Sequence, residues 1–256
     1  VTFDFNIKLA ENYHSNSQKS RVLTEDWVER NLYCPICGKP YIKRYENNHP
    51  TGDFYCEDCS ADFELKSKES NSEKLSKTIA DGEYSTMISR ITSLRNPNFF
   101  FMTYKNYKVN NFVLIPNHFF TPQIIIKRNP LGPHARRAGW TGCNIDISSI
   151  PDSGKIFIVK NQLEIDHNLV ISNYAKTKSL QTRNLDSRGW LLDTLSCIER
   201  IKEKDFTLNQ VYVFEDELKQ KHPENNFVKD KIRQQLQYLR DKGFIEFISP
   251  GHYRKI

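Results

Sequence analysis

Gly52-Asp53-Phe54-Tyr55-Cys56-Glu57-Asp58-Cys59-Ser60-Ala61-Asp62-Phe63-Glu64-Leu65-Lys66 is the stretch whose reading decides the fold. Phe63 and Leu65 alternate with Glu64 and Lys66. An extended chain therefore puts the apolar pair on one face and the charged pair on the other. Asp53 lies eleven residues before Glu64, and the Cys56–Cys59 knuckle fills the connection. That loop lets the chain reverse, so Asp53 is expected on the strand next to Glu64. Two carboxylates and a lysine ammonium then converge on adjacent strands.

A second knuckle precedes this one. Cys34-Pro-Ile-Cys37 and Cys56-Glu-Asp-Cys59 are CxxC turns with eighteen residues between them, a spacing that suits a four-cysteine zinc site. Four thiolates complete a tetrahedral Zn²⁺ shell and leave no position for water, so the ion is expected to be structural. Gly38 and Ser60, each following a knuckle, suit tight turns. Cys143 and Cys197 stand alone and are read as buried apolar residues.

The paired acids suit phosphodiester hydrolysis. Asp53 and Glu64 would hold Mg²⁺ through oxygen ligands. The ion would orient a scissile phosphate and lower the pKa of a bound water. Lys66 would position or help deprotonate that water and stabilise charge in the transition state. By itself Glu-x-Lys carries little, because charged residues often alternate on an exposed strand face. The upstream Asp, the adjoining cysteines and a resemblance that runs along the whole chain give it meaning. The acids and the lysine form the D-x(n)-E-x-K pattern of the PD-(D/E)XK nucleases, with Gly52 where the pattern nominally has Pro. Glu25 is on the first expected helix, where nucleases of that pattern sometimes supply another acid; it is read as a surface residue and not counted in the site.

The chain has 256 residues, 38% hydrophobic and 27% charged. That is enough for one large domain and a small one. No apolar run approaches the roughly 18 residues that cross a bilayer. The start, Val1-Thr-Phe-Asp-Phe5, has no basic segment followed by an apolar core. A cytoplasmic location without membrane contact is the expectation, and disulfides are not expected there. Net charge is +6, compatible with a polyanionic partner.

Residues before about 172 mix helices and strands. Helices are expected over Gln18–Asn31 and Ser76–Leu94, and strands over Phe54–Tyr55, Phe63–Ser67, Phe99–Tyr104, Asn111–Ile115 and Ile156–Val159. This order predicts an α/β core around a mixed sheet. The polar run Ser172–Asn184 reads as a linker or exposed segment. Three helices are then expected over Ser187–Ile201, Leu208–Lys221 and Phe227–Lys242, with Ser187 or Asp186 capping the first. Gly243 stops the third, and a hairpin turns at Ser249-Pro-Gly-His252. Three helices and a two-stranded hairpin make the order of a winged helix; a small structural helical cap is the alternative.

Beyond these patterns the sequence resembles the DpnI-type methyl-directed (type IIM) restriction endonucleases. The matching segments include Ser15–Lys19, Leu23–Trp27, the double CxxC, Phe63–Ser67 and Asn96–Phe101. They continue through Ala135–Trp140, Gly142–Asp146, Ser187–Trp190 and Lys231–Leu236, so the resemblance runs nearly end to end. It implies a PD-(D/E)XK catalytic domain with an embedded zinc site over residues 1–180 and a winged-helix DNA-binding domain over 181–256. It also implies Mg²⁺-dependent cleavage of double-stranded GATC sites whose adenine carries an N6-methyl group. On this match Asp53, Glu64 and Lys66 are the catalytic residues, and Cys34, Cys37, Cys56 and Cys59 hold the zinc. A monomer is expected.

Two segments are candidates for reading DNA. Lys127-Arg-Asn-Pro-Leu-Gly-Pro-His-Ala-Arg136-Arg137-Ala-Gly-Trp140 is basic, loop-like and ends in an indole. Arg136 and Arg137 suit phosphates or guanine edges. The Trp140 face suits the methyl of a methylated adenine, a contact worth on the order of 1 kcal/mol; a cation–π or core role is the alternative. In the third C-terminal helix, Lys229, Lys231, Arg233, Gln234 and Gln237 lie outside the apolar stripe and suit the major groove. An ordinary solvated face is the alternative there. Tyr253, Arg254 and Lys255 are placed to touch the DNA backbone. Against the nuclease stands a non-cleaving reader, a zinc-braced winged-helix regulator whose acids are structural.

Overall fold

Phe99–Met102 and Phe112–Ile115 are completely buried, because apolar groups cover both faces of the sheet they form. The computed structural model describes residues 2–47, 49–93, 96–182 and 184–256. In chain order its elements begin with α1 (Asn16–Asn31), β1 (Lys43–Arg44), β2 (Phe54–Tyr55), β3 (Asp62–Glu69), β4 (Thr78–Glu83) and α2 (Tyr84–Ile91). Next come β5 (Asn98–Lys105), β6 (Lys108–Ile115), β7 (Ile125–Lys127), β8 (Gly142–Asp146), β9 (Ile156–Lys160), β10 (Leu163–Glu164) and α3 (His167–Thr177). The C-terminal part holds α4 (Leu185–Arg200), β11 (Asp205–Thr207), α5 (Leu208–Tyr212), α6 (Glu215–Lys221), α7 (Val228–Asp241), β12 (Ile245–Ser249) and β13 (His252–Lys255).

The main sheet is mixed and runs β1-β2-β3-β5-β6-β9-β10. β3 and β5 are parallel, joined through β4 and α2; every other pair is antiparallel. The β5–β6 and β9–β10 hairpins turn on Asn106-Tyr107 and Asn161-Gln162, all four at positive φ. Two consecutive left-handed residues give a turn whose twist matches that of the strands it joins. Side chains alternate across the sheet. Phe100, Met102, Phe112 and Leu114 pack with Trp27 and Val28 of α1 and Val170 of α3. Phe99, Phe101, Val113 and Ile115 face a small sheet, β4-β8-β7, and the C-terminal helices.

The C-terminal part has the winged-helix order with a third strand that the sequence reading lacked. β11 pairs with β13, and β13 pairs with β12. Ile232, Leu236 and Leu239 of α7 are fully buried, with Leu191, Leu195 and Ile198 of α4 behind them. That apolar cluster is continuous with the one under the main sheet. Polar ties cross the same junction: the Glu199 carboxylate accepts from the Asp152 and Ser153 amides at 2.5 and 3.2 Å.

Three segment assignments and one helix cap are corrected. Ser76–Leu94 is not one helix, and Leu94 itself lies outside the described residues. Thr78–Glu83 is a strand paired with β8, and only Tyr84–Ile91 is helical. Glu83 makes the boundary, its carboxylate accepting from the Ser85 and Thr86 amides at 3.1 and 2.7 Å. The polar run at 172–184 is not a linker: α3 buries Val170, Tyr174 and Thr177 at helical spacing, and a 3₁₀ turn buries Leu180. Starting the window at Ser172 cut that stripe in two; Arg183, within the same run, is outside the described residues. Finally, Leu208–Lys221 is broken at Val213-Phe214 into α5 and α6. The cap of α4 is Asn184, whose side chain accepts from the Ser187 amide, rather than Asp186 or Ser187.

His118 sits at this junction, 3% exposed, near the Arg188 guanidinium. Burial, helped by that positive charge, pulls its pKa from 6.5 down to about 4. The unfolded chain thus takes a proton that the folded chain refuses. Stability is full above pH 6.5 and drains as pH falls from 6.5 toward about 4. Urea midpoints measured across that window should fall in the wild type, and His118→Phe should flatten the part of the slope due to this group. An unchanged slope would remove His118 as the cause.

Candidate active site and nucleic-acid interface

The pairing of Asp53 with β3 builds the site. The Asp53 amide donates to the Phe63 carbonyl at 2.8 Å, and Asp53 Oδ2 accepts from the Leu65 amide at 2.7 Å. Backbone and side chain of one residue therefore grip the strand that carries Glu64 and Lys66. Gly52 is required for this approach: a Cβ there would lie 2.7 Å from the Phe63 carbonyl oxygen. The close packing explains a glycine at the position where the nuclease pattern has proline.

Glu64 and Lys66 share a face of β3, as the alternation predicted, but the face is covered. Glu64 is 8% exposed. Its carboxylate ion-pairs with Lys66 and with Arg90 of α2. Arg90 also donates to the Thr51 carbonyl at 2.9 Å, which ties α2 to the turn before Asp53. Lys66 has a second partner, the Asp81 carboxylate on β4. Burial works against the ammonium, but Glu64 and Asp81 outweigh it and hold its pKa above the usual lysine range. The sequence reading missed Asp81 because it assigned that segment to a helix.

Glu25 is corrected as well. It is not a surface residue but 8% exposed, 3.9 Å from Arg21 and 3.6 Å from Arg44. Burial raises its carboxyl pKa; the Arg21 charge works against this, and the Asp53 charge adds to it. Asp53 is likewise raised, first by burial, with the Leu65 amide opposing and the Glu64 charge adding. Glu25, Asp53, Arg21, Arg44 and Tyr45 line one small cavity. Carboxylates shielded from water, one of them raised further by the charge of the other, form a donor set that a hard cation relieves.

The four cysteines meet. Their sulfur atoms all lie within 4.8 Å of one another, with Cys34–Cys59 and Cys37–Cys56 each at 3.6 Å. Sulfurs bound to one zinc at ordinary bond lengths are about 3.8 Å apart in a tetrahedron, whereas a disulfide needs about 2.05 Å. The cluster therefore fits a metal ion such as zinc. Burial disfavours the Cys56 thiolate, but the Cys59 and Asp58 amides outweigh it and hold that thiol below its usual pKa. Ser60 and Gly38 adopt the positive φ that the tight turns demand. Cys143 and Cys197 are fully buried, as expected.

Loop 128–141, between β7 and β8, is closed by its own backbone. Leu131 donates to the Trp140 carbonyl and Gly139 to the Leu131 carbonyl, both at 2.9 Å. Arg136 and Arg137 are exposed and Trp140 is half-buried. The Arg137 guanidinium lies 4.9 Å over the Trp140 ring, so one indole face has a cation on it in this state. On α7, Gln234 and Gln237 are exposed, while Lys231 is half-buried. Arg233 is engaged by Asp230 and by the Tyr212 hydroxyl, and Lys229 by Glu215 at 3.3 Å. The hairpin residues serve the wing itself: Arg254 pairs with Asp205, Lys255 donates to the Ile201 carbonyl, and Tyr253 stacks on Phe206.

Two outcomes follow. Thiol modification of the purified chain should release one zinc per molecule, and Cys56→Ser should lower the melting temperature and abolish that release; full thermal stability without metal would contradict the cluster. Gly52→Ala should cost about 1–3 kcal/mol in urea unfolding through forced displacement of backbone. A neutral result would mean that the Gly52–Phe63 approach is not tight in solution.

Among the described residues no helix is long and apolar enough to cross a membrane. Two family models cover the chain: the DpnI model, described as the Dam-replacing family, matches residues 1–183, and DpnI_C, the Dam-replacing HTH domain, matches residues 186–255. Both halves match, in the order that the winged helix and the site geometry require, and the chain belongs to the DpnI-type, Dam-replacing family, whose methyl-dependent, restriction-type function is exercised on DNA.

Proposed function

We propose that the chain is a type II restriction endonuclease of the PD-(D/E)XK kind. It would hydrolyse double-stranded DNA at GATC sites carrying N6-methyladenine, in the cytoplasm, with a catalytic Mg²⁺ and a structural Zn²⁺. The observation that carries the reading is the convergence of Asp53, Glu64 and Lys66, with Glu25 close enough to feel the Asp53 charge. Family membership supports action on methylated DNA. The nuclease half is read as residues 1–180 and the DNA-binding half as 181–256.

Asp53 and Glu64 are the residues that would hold Mg²⁺, which when bound supplies Lewis acidity and an activated water. Asp53 is suited to this because the Leu65 amide fixes one carboxylate oxygen and leaves the other. Lys66 would orient the attacking water and offset charge growing on the phosphate. Glu64 must then give up an oxygen now paired with Lys66 or Arg90. Arg136, Arg137 and Trp140 would read the site from the nuclease half. Lys229, Lys231, Arg233, Gln234 and Gln237 would do so from α7, with Arg233 and Lys229 exchanging Asp230 and Glu215 for DNA. The thiolate cage would brace the Asp53 turn, as Cys56 lies three residues beyond Asp53.

One observation favours a non-cleaving reader. Glu64 is ion-paired with both Lys66 and Arg90, as in a purely structural network. Matched plasmids decide between the readings. With Mg²⁺ the wild type should cut methylated plasmid and spare unmethylated plasmid. Asp53→Ala and Lys66→Ala should lose at least about 10²-fold in rate while still binding the methylated duplex. Binding without cutting by the wild type would establish the reader instead.

A further inference from the structure

Asp81 stands outside the Asp53–Glu64–Lys66 pattern, yet its carboxylate holds the lysine at the centre of it. We propose that Asp81 is a positioning residue for Lys66, anchoring the ammonium independently of Glu64 and linking it to the loop that ends at Trp140. The inference rests on the nuclease reading above.

Four observations carry it. First, the Asp81 side chain is only 10% exposed, and its Oδ1 meets both Lys66 Nζ and, at 2.7 Å, the Gly82 amide. The carboxylate is therefore fixed from its own backbone before it reaches the lysine. Second, the ladder between β4 and β8 shifts register here: Asp81 faces Cys143, and Glu83 faces Gly142, leaving Gly82 as the extra residue. A bulge of this kind bends the strand locally and re-aims the neighbouring side chain. Third, the same stretch leads directly to the basic loop. The Tyr84 amide donates to the Thr141 carbonyl at 2.9 Å, and the Trp140 indole lies against Gly142. Fourth, the helix that Glu83 caps carries Arg90, the other partner of Glu64. Segment 81–90 thus supplies counter-charges to both Lys66 and Glu64 while its backbone hangs from the loop.

The consequence appears when Glu64 is recruited elsewhere. Lys66 now bridges two carboxylates, Glu64 and Asp81. Once Glu64 turns its oxygens to a cation, Asp81 remains as the fixed partner of the ammonium. Lysine is a flexible four-carbon stem with a point charge at its end, so without that anchor its position at the scissile phosphate is lost. Misplacement of a reacting group by about 1 Å costs on the order of 10²-fold in rate.

The test uses the full chain with Asp81→Asn, Asp81→Ala and Asp81→Glu. Trace acetylation without divalent metal, read by mass spectrometry at Lys66, reports the anchor without any activity. Lys66 should label faster in Asp81→Asn and Asp81→Ala than in the wild type. Single-turnover cleavage of methylated plasmid with Mg²⁺ should fall about 10²-fold in both, with binding of methylated duplex in Ca²⁺ unchanged and partial recovery in Asp81→Glu. Unchanged labelling, an unchanged cleavage rate, or equal losses of binding and cleavage would each overturn the positioning role while leaving the nuclease reading intact. A wild type that cuts nothing would overturn both.

Discussion

The structure depends on one short antiparallel contact, the grip of Asp53 on β3. Its amide bonds to Phe63 and its carboxylate to the Leu65 amide. These two bonds set which residues of β3 face the carboxylate. A slip of one residue would send Glu64 and Lys66 to the opposite face. The grip is reinforced from both sides. Gly52 lets the backbones approach, and the Cys56–Cys59 knuckle closes the connection over a chain whose Cys34 and Cys56 are buried in the same apolar cluster as Phe54 and Phe63.

Around that contact charge is concentrated rather than spread. Glu25 and Asp53 are raised first by burial, with the Asp53 charge adding to the rise at Glu25 and the Glu64 charge to that at Asp53, whereas Lys66 and Arg90 pair with Glu64. The site is thus a network of paired opposite charges. The same balance holds on α7, where Asp230 and Glu215 occupy Arg233 and Lys229. Solvent-exposed pairs of this kind are weak enough to exchange.

The winged helix is not an appendage on a flexible tether. Leu191, Leu195 and Ile198 belong to the same apolar cluster as Phe99, Phe101 and Val113 of the main sheet. α3 and the turn after it fill the span that composition alone marks as a linker. Packing of this extent fixes the orientation of α7 relative to the main sheet.

The sequence by itself determined the local patterns. Alternation put Glu64 and Lys66 on one face, the two CxxC turns marked four ligands, and the apolar stripe of α7 was legible at its helical spacing. These follow from periods of two and 3.6 residues and from a turn chemistry that any window of the chain displays. Only the tertiary structure decided which distant groups joined them. Asp81 entered because Thr78–Glu83 found a strand partner in β8, against a local pattern that also fits a helix. Glu25 lines the same cavity as Asp53 because α1 packs with its acid toward that residue rather than toward solvent. Strand pairing and burial are set by residues far away in the chain, so no local window contains them.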